Sequence, residues 1–124
     1  MSKKIGIIGL GRCGMPAAEK FIGAGYQVFG YARRPEVIDK FKSLGGIHLE
    51  NPAKVAAAVE TVIVIVLNDD QVKEVVAGKN GILEGAVPGA TVICMSTINR
   101  ANLVWVSDQC LQKAVGFVDC PFTG

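Results

Sequence analysis

Apolar and polar positions along this chain follow two alternating periods, and the switches between them mark out strands and helices. Ile5-Gly6-Ile7-Ile8 is an apolar strand that runs into the turn Gly9-Leu10-Gly11-Arg12-Cys13-Gly14. From about Met15 to Ala24, Met15, Ala18, Phe21 and Ile22 are spaced to share one helical face, while Glu19 and Lys20 stay wet. Pro16 suits a first turn, where its missing N–H costs nothing, and Gly23 and Gly25 end the helix. Tyr26–Tyr31 reads as a second strand and Pro35–Leu44 as a second helix, with Val37, Ile38, Phe41 and Leu44 inward and Gly45-Gly46 as its stop. Ile47–Leu49 is a short third strand, and Asn51-Pro52 supplies the N-cap and first-turn proline of a helix from Ala53 to about Val59.

The unbroken β-branched run Thr61–Leu67 reads as a central parallel strand buried on both faces. Asn68-Asp69-Asp70 ends it and opens a helix carrying Val72, Val75 and Val76. A loop from Gly78 to Gly89, punctuated by Asn80-Gly81 and Pro88-Gly89, leads to a fifth strand, Ala90–Met95. A long helix follows from about Asn99 to Ala114, with Leu103, Val106, Cys110 and Leu111 inward and Val104 and Trp105 off that face; Gly116–Asp119 is a sixth strand. Strands and helices alternate throughout. This predicts an α/β fold of Rossmann type, a doubly wound, mainly parallel sheet with its ligand crevice at the carboxyl ends of the strands.

Composition narrows the picture. At 124 residues, 50% hydrophobic and 19% charged, the chain is a single domain rich enough in apolar residues to cover a sheet on both faces. The formal charge is +2 and the thirteen Lys and Arg are scattered, so nucleic acid is not an expected partner. The apolar runs are far shorter than the roughly 20 residues of a membrane span, and the Met-Ser-Lys-Lys start is no signal peptide. A cytoplasmic protein is expected. Cys13, Cys94, Cys110 and Cys120 are too dispersed for a zinc spacing and read as reduced, mostly buried thiols, with His48 a polar surface residue in a connection.

The first turn carries the strongest chemical signal. Gly9, Gly11 and Gly14 fall in the G-x-G-x-x-G spacing between a strand and a helix. Gly9 permits a tight turn, Gly11 offers no Cβ to block phosphates, and Gly14 lets the helix pack closely. Backbone N–H groups at the helix start then face a pyrophosphate. An NAD site normally has Asp or Glu at the end of the second strand to hold the ribose hydroxyls. Here that position reads Tyr31-Ala32-Arg33-Arg34, with no carboxylate before Glu36. Two guanidiniums suit the extra phosphate of NADP, so NADP is favoured over NAD.

These features resemble the N-terminal domain of the β-hydroxyacid dehydrogenases, the group containing 3-hydroxyisobutyrate dehydrogenase, tartronate semialdehyde reductase and, more distantly, 6-phosphogluconate dehydrogenase. Gly9–Met15 is similar to the family's GLGxMG, with Cys13 in place of methionine, and Arg33-Arg34-Pro35-Glu36 to its NRTPE segment. Leu67-Asn68-Asp69-Asp70 stands where LPDD is usual; Asn68 is similar to the branch acting on four-carbon acid sugars such as threonate. Met95-Ser96-Thr97 matches DMST except that Cys94 replaces aspartate, and Asp119–Gly124 is similar to the start of DAPVSGG.

The resemblance implies that Gly9, Leu10, Gly11, Arg12, Cys13 and Gly14 line the pyrophosphate, Arg33 and Arg34 the adenosine phosphate, and Leu67 and Asn68 the adenosine end. Thr97 would lie near the nicotinamide, and Thr123 and Gly124 would begin the loop that receives the carboxylate of a small hydroxyacid. In the family the catalytic lysine lies downstream of that loop. The chain is therefore expected to be a truncated NAD(P)-binding domain, inactive alone, with no catalytic residue of its own. A non-catalytic dinucleotide sensor or scaffold is the alternative. An adenosylmethionine-dependent methyltransferase fits less well, because it too favours an acid at the end of the second strand. Val104 and Trp105 would need cover from a further domain or a partner chain, which leaves a homo-oligomer open.

Overall fold

Ile5 and Ile7 leave one side of the first strand and Ile8 leaves the other, so that a single strand feeds two hydrophobic layers. The computed structural model describes residues 3–121. Among these, β1 (Lys4–Ile8), α1 (Gly14–Gly23), β2 (Gln27–Tyr31), α2 (Pro35–Ser43), β3 (Ile47–His48), α3 (Pro52–Ala58), β4 (Thr61–Val64), α4 (Asp69–Ala77), α5 (Ile82–Gly85), β5 (Thr91–Cys94), α6 (Arg100–Gln112) and β6 (Gly116–Asp119) follow one another. The strands form one six-stranded sheet in the order β3-β2-β1-β4-β5-β6, and every pairing is parallel. This is the Rossmann order, and it reverses direction between β1 and β4.

Period-two alternation sorts the core. Val62 and Val64 of β4, with Val92 and Cys94 of β5, pack with Val55 of α3, Val72 and Val76 of α4, and Val106 and Cys110 of α6. Ile63, from the other side of β4, joins Ile5, Ile7 and Val28 against Met15 and Ala18 of α1 and Phe41 of α2. A sheet clothed on both faces by helices accounts for the unusually apolar composition. Three helices start on asparagine caps: Asn51, Asn68 and Asn99 each accept, through Oδ1, the N–H of the residue three positions on, at 2.9 Å.

Several expectations are corrected. The Thr61–Leu67 run is a strand only to Val64; Ile65 still donates its N–H to the Ile8 carbonyl at 2.9 Å, and then the chain leaves the sheet. Leu67 is left 90% exposed. The Gly78–Gly89 connection contains the one-turn helix α5, anchored by the buried Ile82 and by Glu84, whose carboxylate accepts the Asn80 N–H at 2.9 Å. Leu111 does not face inward. Val106 and Cys110 form the buried line of α6, and the next residue is rotated about 100° from it, which leaves Leu111 76% exposed. Val104 and Trp105 are exposed as expected. All four cysteines are free, but only Cys94 and Cys110 are buried; Cys13 is half-buried and Cys120 exposed. His48 is half-buried rather than a surface residue. No helix among the described residues is long and apolar enough to cross a membrane.

Burial and exposure make a paired prediction. Phe41→Ala should lower unfolding free energy by about 3–5 kcal/mol, whereas Leu111→Ala should stay within about 0.5 kcal/mol. Urea titration followed by circular dichroism measures both. A Leu111 loss as large as that of Phe41 would contradict the orientation of α6.

Candidate functional site

The turn after β1 is held by close backbone approaches. Gly9 has φ +103, and a Cβ there would run into the Ile65 carbonyl at the end of β4. A Cβ on Gly14 would strike the Gly9 carbonyl, so the first residue of α1 sits directly on the turn. Around Gly11, by contrast, a Cβ would meet nothing within 4 Å. That space is where an anion can reach the backbone. Met15 donates to the Gly11 carbonyl at 3.0 Å, which begins α1, while among the described residues the amides of Leu10, Gly11, Arg12 and Cys13 donate to no backbone carbonyl. Cys13, at the N-cap, makes no side-chain capping bond. The start of α1 thus keeps its unpaired N–H groups and the positive end of its dipole, the arrangement that receives a phosphate.

This turn forms the floor of a crevice of about 660 Å³ at the carboxyl ends of the strands. One wall is Tyr31, Ala32, Arg33 and Arg34 at the end of β2; the other is Ile65, Val66, Leu67 and Gln71, with Met95, Ser96 and Thr97 beyond β5. Arg33 and Arg34 are exposed. Arg34 Nε lies 3.9 Å from Glu36 Oε1, with both side chains largely in solvent (75% and 69% exposed). So wet and loose a pair leaves the guanidinium available to another anion. A neighbouring recess between α1 and α2 is lined by Arg12, Glu19, Arg34, Glu36 and Lys40, so Arg34 borders both spaces.

The wall beyond β4 is built from polar contacts that replace lost sheet bonds. Ser96 is 5% exposed, and its hydroxyl accepts the Val66 N–H at 2.8 Å and donates to the Val66 carbonyl at 2.9 Å. The Cys94 thiol donates to the Ser96 carbonyl at 3.7 Å. Gln71 Oε1 accepts the Leu67 N–H at 2.8 Å, while Asn68 caps α4 by accepting from Gln71. Asp69 joins the starts of α4 and α6 by accepting from Asn102 Nδ2 at 2.7 Å and the Asn99 N–H at 3.1 Å. Those bonds, the one from Asn102 foremost, hold its carboxyl below the usual carboxylate range. Lys73 completes the seam, 3.3 Å from Asn102 Oδ1 and 5.1 Å from the Trp105 ring centroid.

Of the residues picked out in the sequence, the fold brings Gly9, Leu10, Gly11, Arg12, Cys13, Gly14, Arg33, Arg34, Leu67 and Thr97 to one crevice. Asn68 is not among the residues that line it, and its side chain is committed to the helix cap. Thr123 and Gly124 lie outside the described residues. Tyr31, Val66, Gln71 and Ser96 were missed. Gln71 had a signal, the Asn-x-x-Gln spacing of reciprocal capping; the role of Ser96 depends on a contact across thirty positions and had none.

Residues 4–124 match the family model described as the NAD binding domain of 6-phosphogluconate dehydrogenase. The chain belongs to this family. It is 31% identical over its whole length to L-threonate dehydrogenase of Cupriavidus necator, of which it covers 42%. With 2-hydroxy-3-oxopropionate reductase of Escherichia coli it is 31% identical over 98% of its length, 41% of that protein. The crystal structure of 3-hydroxyisobutyrate dehydrogenase from Salmonella typhimurium superposes with a TM-score of 0.89 at 26% identity, over 98% of this chain and 42% of that one. The chain thus spans about two-fifths of the length of these relatives. It is an NAD(P)-binding domain related to the β-hydroxyacid dehydrogenases. Cys94 is fully buried beneath the Ser96 contact, where burial pushes its thiol above the ordinary range.

Two consequences can be measured. Ser96→Ala strands the Val66 amide and carbonyl and should cost about 1–3 kcal/mol, with faster hydrogen exchange at Val66; unchanged exchange there would remove the bridging role. The depressed carboxyl of Asp69 stabilises the fold fully above the ordinary carboxylate pKa, and that contribution is lost as pH falls through the lower folded value. Asp69→Asn should therefore flatten the loss of stability below about pH 4, as read from urea midpoints against pH. An acid limb identical to the parent's would dismiss Asp69 as its source.

Proposed function

We propose that this chain is the coenzyme-binding domain of an oxidoreductase that uses NADP in preference to NAD and moves hydride to or from a small β-hydroxyacid. The observation that carries the coenzyme preference is the end of β2. Arg33 and Arg34 border the crevice where a ribose-binding carboxylate would stand in an NAD site. Their guanidiniums can grip a 2′-phosphate through paired charge-assisted hydrogen bonds. The amides of the Gly9–Gly14 turn receive the pyrophosphate, and Thr97 lies toward the nicotinamide. When bound, the nicotinamide supplies the redox chemistry; the chain binds and orients it.

The names of the relatives support the substrate class. L-threonate and 2-hydroxy-3-oxopropionate are both small oxygenated acids, and Thr123 and Gly124 are proposed to open the loop that receives such a carboxylate. Four free thiols accord with a reducing, cytoplasmic setting.

Calorimetric titration of the chain with each coenzyme tests this reading. NADP should bind more tightly than NAD, and replacing both arginines (Arg33→Ala with Arg34→Ala) should weaken NADP by about 10- to 100-fold while leaving NAD within about threefold. Equal affinities untouched by the substitutions would remove the NADP assignment and leave the nucleotide site intact. No heat with either coenzyme at millimolar concentration would remove the site.

A further inference from the structure

We infer that His48 is a positioning residue for coenzyme discrimination: its ring completes the hydrogen-bond ladder at the end of β2 and so fixes the peptide from which Arg33 springs. This rests on the reading that Arg33 and Arg34 hold a 2′-phosphate. β3 is only two residues long, with Phe29 opposite Ile47 and Gly30 opposite His48. The Leu49 N–H donates to the Gly30 carbonyl at 2.9 Å, the last backbone rung between the two chains.

In a parallel ladder the next acceptor on that edge of β2 is the carbonyl two residues on, that of Ala32, and the matching donor would be the amide of residue 51. At Asn51, however, the chain has already turned from the strand into a helix, and among the described residues its N–H reaches no backbone carbonyl. This residue is the N-cap of α3, with Pro52 after it, and its side chain accepts the Lys54 N–H. Among the described residues no backbone N–H reaches the Ala32 carbonyl. His48 Nε2 lies 3.3 Å from that oxygen, a distance at which the Nε2–H tautomer donates.

The rung matters because a peptide unit is planar. The Ala32 carbonyl and the Arg33 N–H belong to one rigid plane, so anchoring the oxygen fixes the direction in which the Arg33 backbone enters the crevice. Tyr31 adds a second constraint on the same ring. This residue borders the crevice, and its ring lies nearly parallel to His48, with planes 19° apart and centroids at 6.3 Å. The imidazole thus contacts two successive residues that line the crevice, the ring of Tyr31 and the carbonyl of Ala32. Two long, exposed arginines would otherwise carry much conformational freedom into the bound state, and a fixed backbone origin reduces what must be ordered.

The test measures the affinities of NADP and NAD for the 124-residue chain carrying His48→Leu or His48→Gln, each alone and with both arginines replaced by alanine. His48→Leu should weaken NADP by about 3- to 10-fold and leave NAD within about twofold. His48→Gln, which keeps a side-chain N–H donor, should recover most of that loss. In the arginine-free background His48→Leu should change nothing further. Equal weakening of both coenzymes, or an effect that survives without the arginines, would overturn the inference and leave His48 a merely structural residue. Should NADP binding depend on the arginines but not on His48, the inference fails alone. An arginine-free chain that binds NADP as tightly as the parent fails the coenzyme reading, and the inference with it.

Discussion

The backbone of Gly9 lies against the carbonyl of Ile65, so close that no side chain fits between them. That approach sits where the strand order reverses, between the ends of β1 and β4, and it determines how the crevice opens. The Ile65 N–H reaches the Ile8 carbonyl in the last bond between these neighbours. Beyond it the two chains diverge, one turning into α1 and the other out toward α4. With Gly14 seated on the Gly9 carbonyl, the helix start cannot drift from the turn, and its amides stay aimed at one place. A site of this kind is preorganised by backbone sterics and does not depend on how any side chain settles.

Divergence has a cost, because peptide groups released from a sheet must find other partners. Ser96 answers for both polar groups of Val66 with one hydroxyl. Gln71 takes the next amide, that of Leu67. The seam of Asp69, Asn99 and Asn102 then binds the start of α4 to the start of α6, so the two loops that form the far wall are tied together. Beneath them, burial pushes the Cys110 thiol up to about 11 and the Cys94 thiol in the same direction. Both remain protonated near neutrality and serve as small apolar residues.

The glycine turn, the alternation of strands and helices, and the Asn51 cap were legible because each depends on a local rule that the chain obeys without help. The arginine pair was legible for a similar reason: strand ends fall predictably after apolar runs. What escaped the sequence depends on partners far along the chain. The β-branched run from Thr61 to Leu67 shows no break at Val64, since hydrophobicity continues where hydrogen bonding stops. The Asn68 side chain accepts the Gln71 N–H within its own helix start, a local bond that the family motif does not express. One turn of helix at Ile82–Gly85 is too short to show a period. Leu111 matched a helical spacing that the last turn of α6 does not place over the sheet, and His48 found its acceptor only because β3 ends after two residues.

Binding and coenzyme choice are divided between different kinds of structure in this crevice. On the proposed reading, the pyrophosphate end uses amides whose placement rests on the main-chain contacts of Gly9 and Gly14, and that end is common to every dinucleotide. The proposed adenosine end uses exposed side chains on a strand terminus, where Arg34 already shares a loose contact with Glu36. Such a contact contributes little to stability, so residues there can change with small effect on folding. Preference between NADP and NAD, on the proposed reading, can therefore shift without disturbing the Gly9–Ile65 approach. On that reading the fold provides for a dinucleotide, and the few residues after β2 decide which one.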